Sequence, residues 1–189
     1  MEIVIQPLLT GLTDNIINEL ADDISREFEH IRVGITCIHK ISNSYVKSDA
    51  TFNLNFDFER KQWNSPKLLE WFYKNLNPKK DRIILIILDV DAYSDGLNFV
   101  LGEALPKAGL GVVYLPRIKE EFYGQKPNEK LFYERMIKEC VHELGHLFGL
   151  NHCANTLCVM HFSNTLYDTD VKATGFCDRC RISLKSNYN

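Results

Sequence analysis

Apolar and polar positions change period several times along this chain, and each change marks an element. Residues 2–9 (EIVIQPLL) open with β-branched side chains and predict a first strand. From Asp14 to Glu29 the apolar positions Ile16, Ile17, Leu20, Ala21, Ile24 and Phe28 follow the 3–4 spacing of a helix, with Thr13 placed to cap it. His30 to His39 alternates, which predicts a second strand with Cys37 inside it as a small buried hydrophobe. Residues 43–64 are less regular, with a strand or hairpin expected in TFNLNFDF. Ser65-Pro66 reads as an N-cap followed by proline at the first helical position, opening a helix to about Leu76. Ile83 to Val90 is continuously apolar, the pattern of a strand covered on both faces. Two further strands are expected near Leu97–Leu101 and Gly111–Leu115, joined by a turn rich in glycine and proline. Pro127-Asn128 then opens a long helix to about Leu150, with its apolar stripe running from Leu131 to Phe148.

Interleaved strands and helices predict an α/β fold, or the closely related α+β arrangement, built on a mixed sheet. The 189 residues favour one domain over 1–189, and no internal repeat or low-complexity linker divides them. A composition 45% hydrophobic and 25% charged excludes disordered, collagen-like and coiled-coil chains. The net charge of −3 and the lack of a basic run argue against a nucleic-acid partner. Met1-Glu2-Ile3-Val4 carries no basic leader, and the longest apolar run is closed by Asp89 and Asp91, far short of the ~20 residues a membrane span needs. A cytoplasmic protein with reduced thiols is therefore expected.

That expectation changes how the cysteines are read, because soft metal ligands crowd into the last quarter of the chain. The first cluster is His142-Glu143-Leu144-Gly145-His146-Leu147-Phe148-Gly149-Leu150-Asn151-His152. On a helix, residues i and i+4 share a face, so His142 and His146 can aim at one Zn²⁺. Gly149 can end the helix in the left-handed conformation, and the returning chain can bring in His152. Three neutral ligands leave a coordination position open, the arrangement of a catalytic site. Glu143 sits beside the first ligand, where it can serve as general base toward water and return the proton to a leaving amine.

The second cluster is Cys153, Cys158, Cys177 and Cys180, spaced C-x4-C-x18-C-x2-C. Four thiolates make a closed tetrahedral zinc site that holds a fold together. A disulfide pair, or a redox motif at Cys177-Asp178-Arg179-Cys180, are the alternatives; the redox motif lacks the strand-to-helix context it uses. The expected cofactors are thus two Zn²⁺, one catalytic and one structural, the second stapling the C-terminal segment 153–180.

Fused as HELGHLFGLNHC-x4-C-x-M-x16-C-x2-C, the two clusters resemble the archaemetzincin family of zinc metallopeptidases. Gln62-Trp63-Asn64-Ser65 and Leu97 to Ala104 add to the resemblance. It implies a metzincin-like fold: a twisted mixed sheet of about five strands with flanking helices, and a cleft below an edge strand. It also implies His142, His146 and His152 as zinc ligands, Glu143 as the catalytic residue, and Met160 in an apolar turn beneath the metal. Two departures stand out. Sixteen residues separate Met160 from Cys177 where the family pattern has seventeen, and Phe162 occupies a position where astacin-like relatives carry tyrosine. The function expected is zinc-dependent hydrolysis of peptides or small proteins by a monomer. The alternatives are a zinc-bearing peptide-binding or regulatory module without turnover, which would have no need of Glu143, and a hydrolase of non-peptide bonds.

Overall fold

The structure, a computed structural model, describes residues 2–29, 34–37, 43–79 and 81–188, with backbone alone at 34–37, 43–45 and 188. The chain runs β1 (Glu2–Leu8), α1 (Asp14–Glu27), β2 (Gly34–Cys37), α2 (Asn43–Ser48), α3 (Ala50–Asn53), β3 (Phe56–Asp57), β4 (Gln62–Asn64), α4 (Ser65–Leu76), β5 (Arg82–Leu88), β6 (Ala92–Tyr93), β7 (Gly102–Leu105), β8 (Leu110–Tyr114), α5 (Glu129–Leu147), α6 (Leu166–Val171) and α7 (Asp178–Tyr188). Five strands form the main sheet in the order β2-β1-β5-β8-β7. All neighbours in it are parallel except β7, which pairs antiparallel with β8 and closes one edge. A small second sheet has the order β3-β4-β6. This is the mixed sheet with flanking helices that the pattern implied.

Alternation along β1 and β5 divides the core in two. Ile3, Ile5, Ile83, Leu85 and Ile87 face α1 and α5. Val4, Leu8, Ile84, Ile86 and Leu88 face α4, whose Leu68, Leu69, Trp71 and Phe72 cover that side. Both faces are dry, which is why the run Ile83–Leu88 shows no period of two. Helix α1 is capped by Thr13, as its sequence suggested, through a hydroxyl that accepts from the Ile16 amide at 3.4 Å.

Several local expectations shift. The cap of α4 is Asn64, whose side chain accepts from the Lys67 amide at 3.1 Å. Ser65 lies inside the helix, fully buried, where it accepts a 2.7 Å hydrogen bond from the Tyr114 hydroxyl. TFNLNFDF divides between the end of α3 and strand β3, which pairs with β4 as a short hairpin. The strand expected near Leu97–Leu101 begins later, at Gly102. Residues 94–99 turn instead, with the Leu97 amide donating to the Ser94 carbonyl and the Asn98 carbonyl held by Arg60 and Gln62 side chains. The ends of the strand expected over 30–39, and the side chain of Cys37, lie outside the described residues. Among the described residues no helix is long and apolar enough to cross a membrane.

Candidate active site

Helix α5 carries the first cluster, and burial on nearly every side explains its unusual sequence. Met136, Ile137, Cys140, Val141, Leu144 and Leu147 join the core with α1 and the sheet. The opposite stripe, Arg135, Lys138, Glu139, His142 and Glu143, is polar yet also buried. Asn128 caps the helix at its start, and Gly149 (φ 82°) turns the chain just after its end in the left-handed conformation open to it as a glycine.

His142, His146 and His152 converge. The His146 Nε2 atom lies 3.1 Å from His142 Nε2 and 3.2 Å from His152 Nε2. Two nitrogens on a tetrahedral ion at 2.0–2.1 Å would be about 3.3–3.4 Å apart, so the spacing suits Zn²⁺. The far nitrogens are already engaged: His142 Nδ1 at 2.7 Å from the Val159 carbonyl and His146 Nδ1 at 2.8 Å from the Leu150 carbonyl. Donation from Nδ1–H leaves a lone pair on each Nε2. Burial holds all three imidazoles below the usual histidine range, His142 furthest, which keeps them neutral as metal ligands must be. The Phe162 ring, 4.9 Å from that of His152, braces the third imidazole and brings no hydroxyl.

Met160 is fully buried and packs against Gly145, between the two histidines in the helix sequence. A Cβ at Gly145 would overlap its sulfur, so helix and turn meet only because residue 145 is glycine. The Cys153 amide donates to the Met160 carbonyl at 2.8 Å, and the His161 amide to the Cys158 carbonyl at 2.9 Å. His161 itself does not line the cleft; its Nδ1 lies 3.0 Å from the Cys153 carbonyl oxygen.

The four cysteines also meet. Cys153 Sγ is 3.8 Å from Cys177 Sγ, and Cys158 Sγ is 3.8 Å from Cys180 Sγ. A disulfide would need about 2.05 Å. A tetrahedral zinc with Zn–S near 2.3 Å gives S···S edges of about 3.8 Å, so the donor set fits zinc. Burial raises the Cys177 thiol, but hydrogen bonding by the Cys180 amide and neighbouring sulfurs outweighs it and brings the group down to about 7. Cys153 follows His152 directly, so this cluster also fixes the backbone that presents the third histidine.

A cleft of about 550 Å³ runs over the histidines, bounded by Asn98 to Ala104 on one side and by Phe162, Ser163 and Asn164 on the other. Glu143 sits in its floor, 3% exposed, with Oε2 free of any hydrogen-bond partner among the described residues. Burial pushes its carboxyl well above the usual range, Glu139 adds to the rise and Lys172 opposes it. Gly102 on β7 makes room for it, since a Cβ there would overlap the Glu143 carboxylate. Four buried polar atoms that have no hydrogen-bond partner among the described residues, Glu103 Oε2, Glu143 Oε2, Ser163 Oγ and Lys172 Nζ (the last ion-paired with Glu139), belong to residues lining this cleft.

Helix α6 and the buried Glu139–Lys172 pair were not anticipated from the sequence. Glu139 is one turn before His142 on the same face, a spacing that could have marked it. Nothing local marks Lys172.

The sequence profile of peptidase family M54 matches residues 1–186. An archaemetzincin of Pyrococcus furiosus is 36% identical over 171 residues, covering 90% of this chain and 86% of the relative. Two crystal structures share the fold over 96% of this chain and 99% of theirs. One is a zinc-dependent peptidase from Methanocorpusculum labreanum (TM-score 0.79, 26% identity). The other is an archaemetzincin from Archaeoglobus fulgidus (TM-score 0.73, 31% identity).

Proposed function

The chain belongs to peptidase family M54 and is a zinc metallopeptidase, and from that premise we propose that it cleaves peptide bonds at the three-histidine site with Glu143 as general base and then acid. One observation carries this reading: three imidazole nitrogens converge in a cleft that also holds a buried carboxylate oxygen with no hydrogen-bond partner among the described residues. His142, His146 and His152 would hold the catalytic zinc, and Cys153, Cys158, Cys177 and Cys180 a second, structural one. Zinc, when bound, polarises a carbonyl and lowers the pKa of water. Glu143 Oε2 accepts a proton from the attacking water and passes it to the nitrogen of the departing amine.

Substrate would be held by β7. The Tyr114 amide donates to the Leu101 carbonyl at 2.8 Å, so Leu101 faces β8. Alternation then turns the N–H and C=O of Gly102 and Ala104 to the open edge, where an extended peptide can add as a strand. Such pairing tolerates many side chains. The same reading makes the protein a cytoplasmic monomer of one domain over 1–189, acting on peptides or small proteins and on neither nucleic acid nor membrane.

The test is a peptide library followed by mass spectrometry, with protein as purified, after mild chelation, and after zinc is restored. Cleavage lost on chelation and regained with zinc is expected. Peptide binding without cleavage by the fully loaded protein would favour the non-catalytic module instead.

A further inference from the structure

Lys172 follows the last turn of α6, and its side chain is 0% exposed. Its Nζ is ion-paired with Glu139 Oε1 at 2.9 Å, but outside hydrogen-bond geometry, and no hydrogen-bond acceptor among the described residues meets its remaining donors. A buried ammonium left this way is costly unless something supplies acceptors. Fastening α6 does not require it. Arg135 grips Asp170 with two hydrogen bonds of 2.6 and 2.8 Å, and Lys138 Nζ donates to the carbonyls of Thr169 and Asp170.

Lys172 and Glu139 both line the cleft that contains His142 and Glu143. Glu139 Oε1 already accepts from the Thr169 hydroxyl at 3.0 Å, so within this pair the unmet capacity is on the donor side, while Glu103 Oε2 and Glu143 Oε2 are the unmet acceptors elsewhere in the cleft. A group that meets Lys172 must therefore bring acceptor oxygens. We propose that Lys172 is a specificity-determining residue, whose ammonium receives a carboxylate of the peptide substrate at the inner end of the cleft. Two sources share that chemistry: the side chain of an aspartate or glutamate, and the α-carboxylate of a peptide C-terminus. The inference rests on the peptidase reading of the same cleft.

Binding without turnover separates the two claims. Zinc-loaded Glu143→Gln protein is titrated with fluorescent peptides in matched pairs: internal Glu against Gln with the C-terminus amidated, and free against amidated C-terminus with no internal acid. The carboxylate-bearing member of one pair should bind about tenfold or more tightly than its neutral counterpart, as one charge-assisted contact allows, and the pair that shows it identifies the source, whereas tighter binding of the neutral member would overturn the proposal. Lys172→Met would leave Glu139 buried without its counter-ion, so the double variant Lys172→Met/Glu139→Gln is measured beside it. In the double variant the ratio should fall to within about twofold, whereas Lys172→Arg should keep part of it. Equal affinities in both pairs, no measurable binding of any peptide, or a preference that survives the double variant would each overturn the proposal. Peptides cleaved by the wild type without carboxylate preference would sink this inference alone. Carboxylate-selective binding with no cleavage by the wild type would support it and count against the peptidase reading.

Discussion

Replacing Met160 by alanine should weaken the fold and the metal site together, because one side chain supports both. Met160 is fully buried, packed against Gly145 on α5 and in the same cluster as Phe176 and Leu144. Alanine lacks three of its heavy atoms, a transfer loss of about 2 kcal/mol. A residual cavity of roughly 60–80 Å³ adds about 1.5–2 kcal/mol at ~24 cal/mol per Å³. The walls resist collapse: α5 is fixed by the sheet on one side, and the turn is tied at Cys153 and Cys158 on the other. The sum, about 3–4 kcal/mol, corresponds to a fall in Tm of roughly 6–16 °C for a chain of this length. Met160→Leu keeps the volume and should cost under about 1.5 kcal/mol. The assay is thermal unfolding of zinc-loaded protein, with zinc affinity measured in parallel by competition with a chromogenic chelator. The affinity of the three-histidine site should drop about 10–100-fold, as for other supports of a metal ligand. A loss under 1 kcal/mol with unchanged zinc affinity would show that Met160 is not the floor of the site.

Freshly purified protein should contain two zinc equivalents, of which a mild chelator removes one with little change in circular dichroism, because four thiolates enclose the other; recovering a single equivalent would contradict this. Ala104→Pro removes an amide directed to the open edge and should raise KM several-fold with folding and zinc content intact, whereas loss of folding would mean β7 is paired on both sides. In zinc-free protein the His142 ring should stay neutral well below pH 6.5, as followed by NMR titration, and a midpoint at or above 6.5 would refute its burial. The unfolded chain protonates first as pH falls, so the three histidines destabilise the zinc-free fold progressively below about pH 6.5 and cost nothing above it.

Features with local causes were legible in the sequence. Ile83–Leu88 reads as a central strand because both of its faces are covered, and the two histidines of α5 read as a pair because helical spacing alone sets them on one face. The left-handed turn at Gly149 and the return of His152 were legible for the same reason. What stayed hidden depends on contacts between distant segments. Phe99, Val100 and Leu101 resemble a strand, yet they pack into the two cores from a loop, and the true edge strand GEAL has little pattern of its own. Asn64 and Ser65 compete for one cap, and burial of Ser65 against Tyr114 decides it. Helix α6 is only six residues long and is held by Arg135 and Lys138 from α5, so its own sequence carries little signal. Lys172 acquires its meaning only when α6 carries it beneath the cleft beside Glu139.

The central claim is that Glu143 moves the proton while the histidines hold the metal, and steady-state hydrolysis of one good peptide by Glu143→Gln protein tests it most directly. Gln keeps the shape of the side chain beside Gly102 but cannot accept the proton. kcat/KM should fall by about 10²–10⁴, with both zinc equivalents and the Tm close to wild type. Hydrolysis at the wild-type rate by a fully loaded Glu143→Gln protein would contradict it.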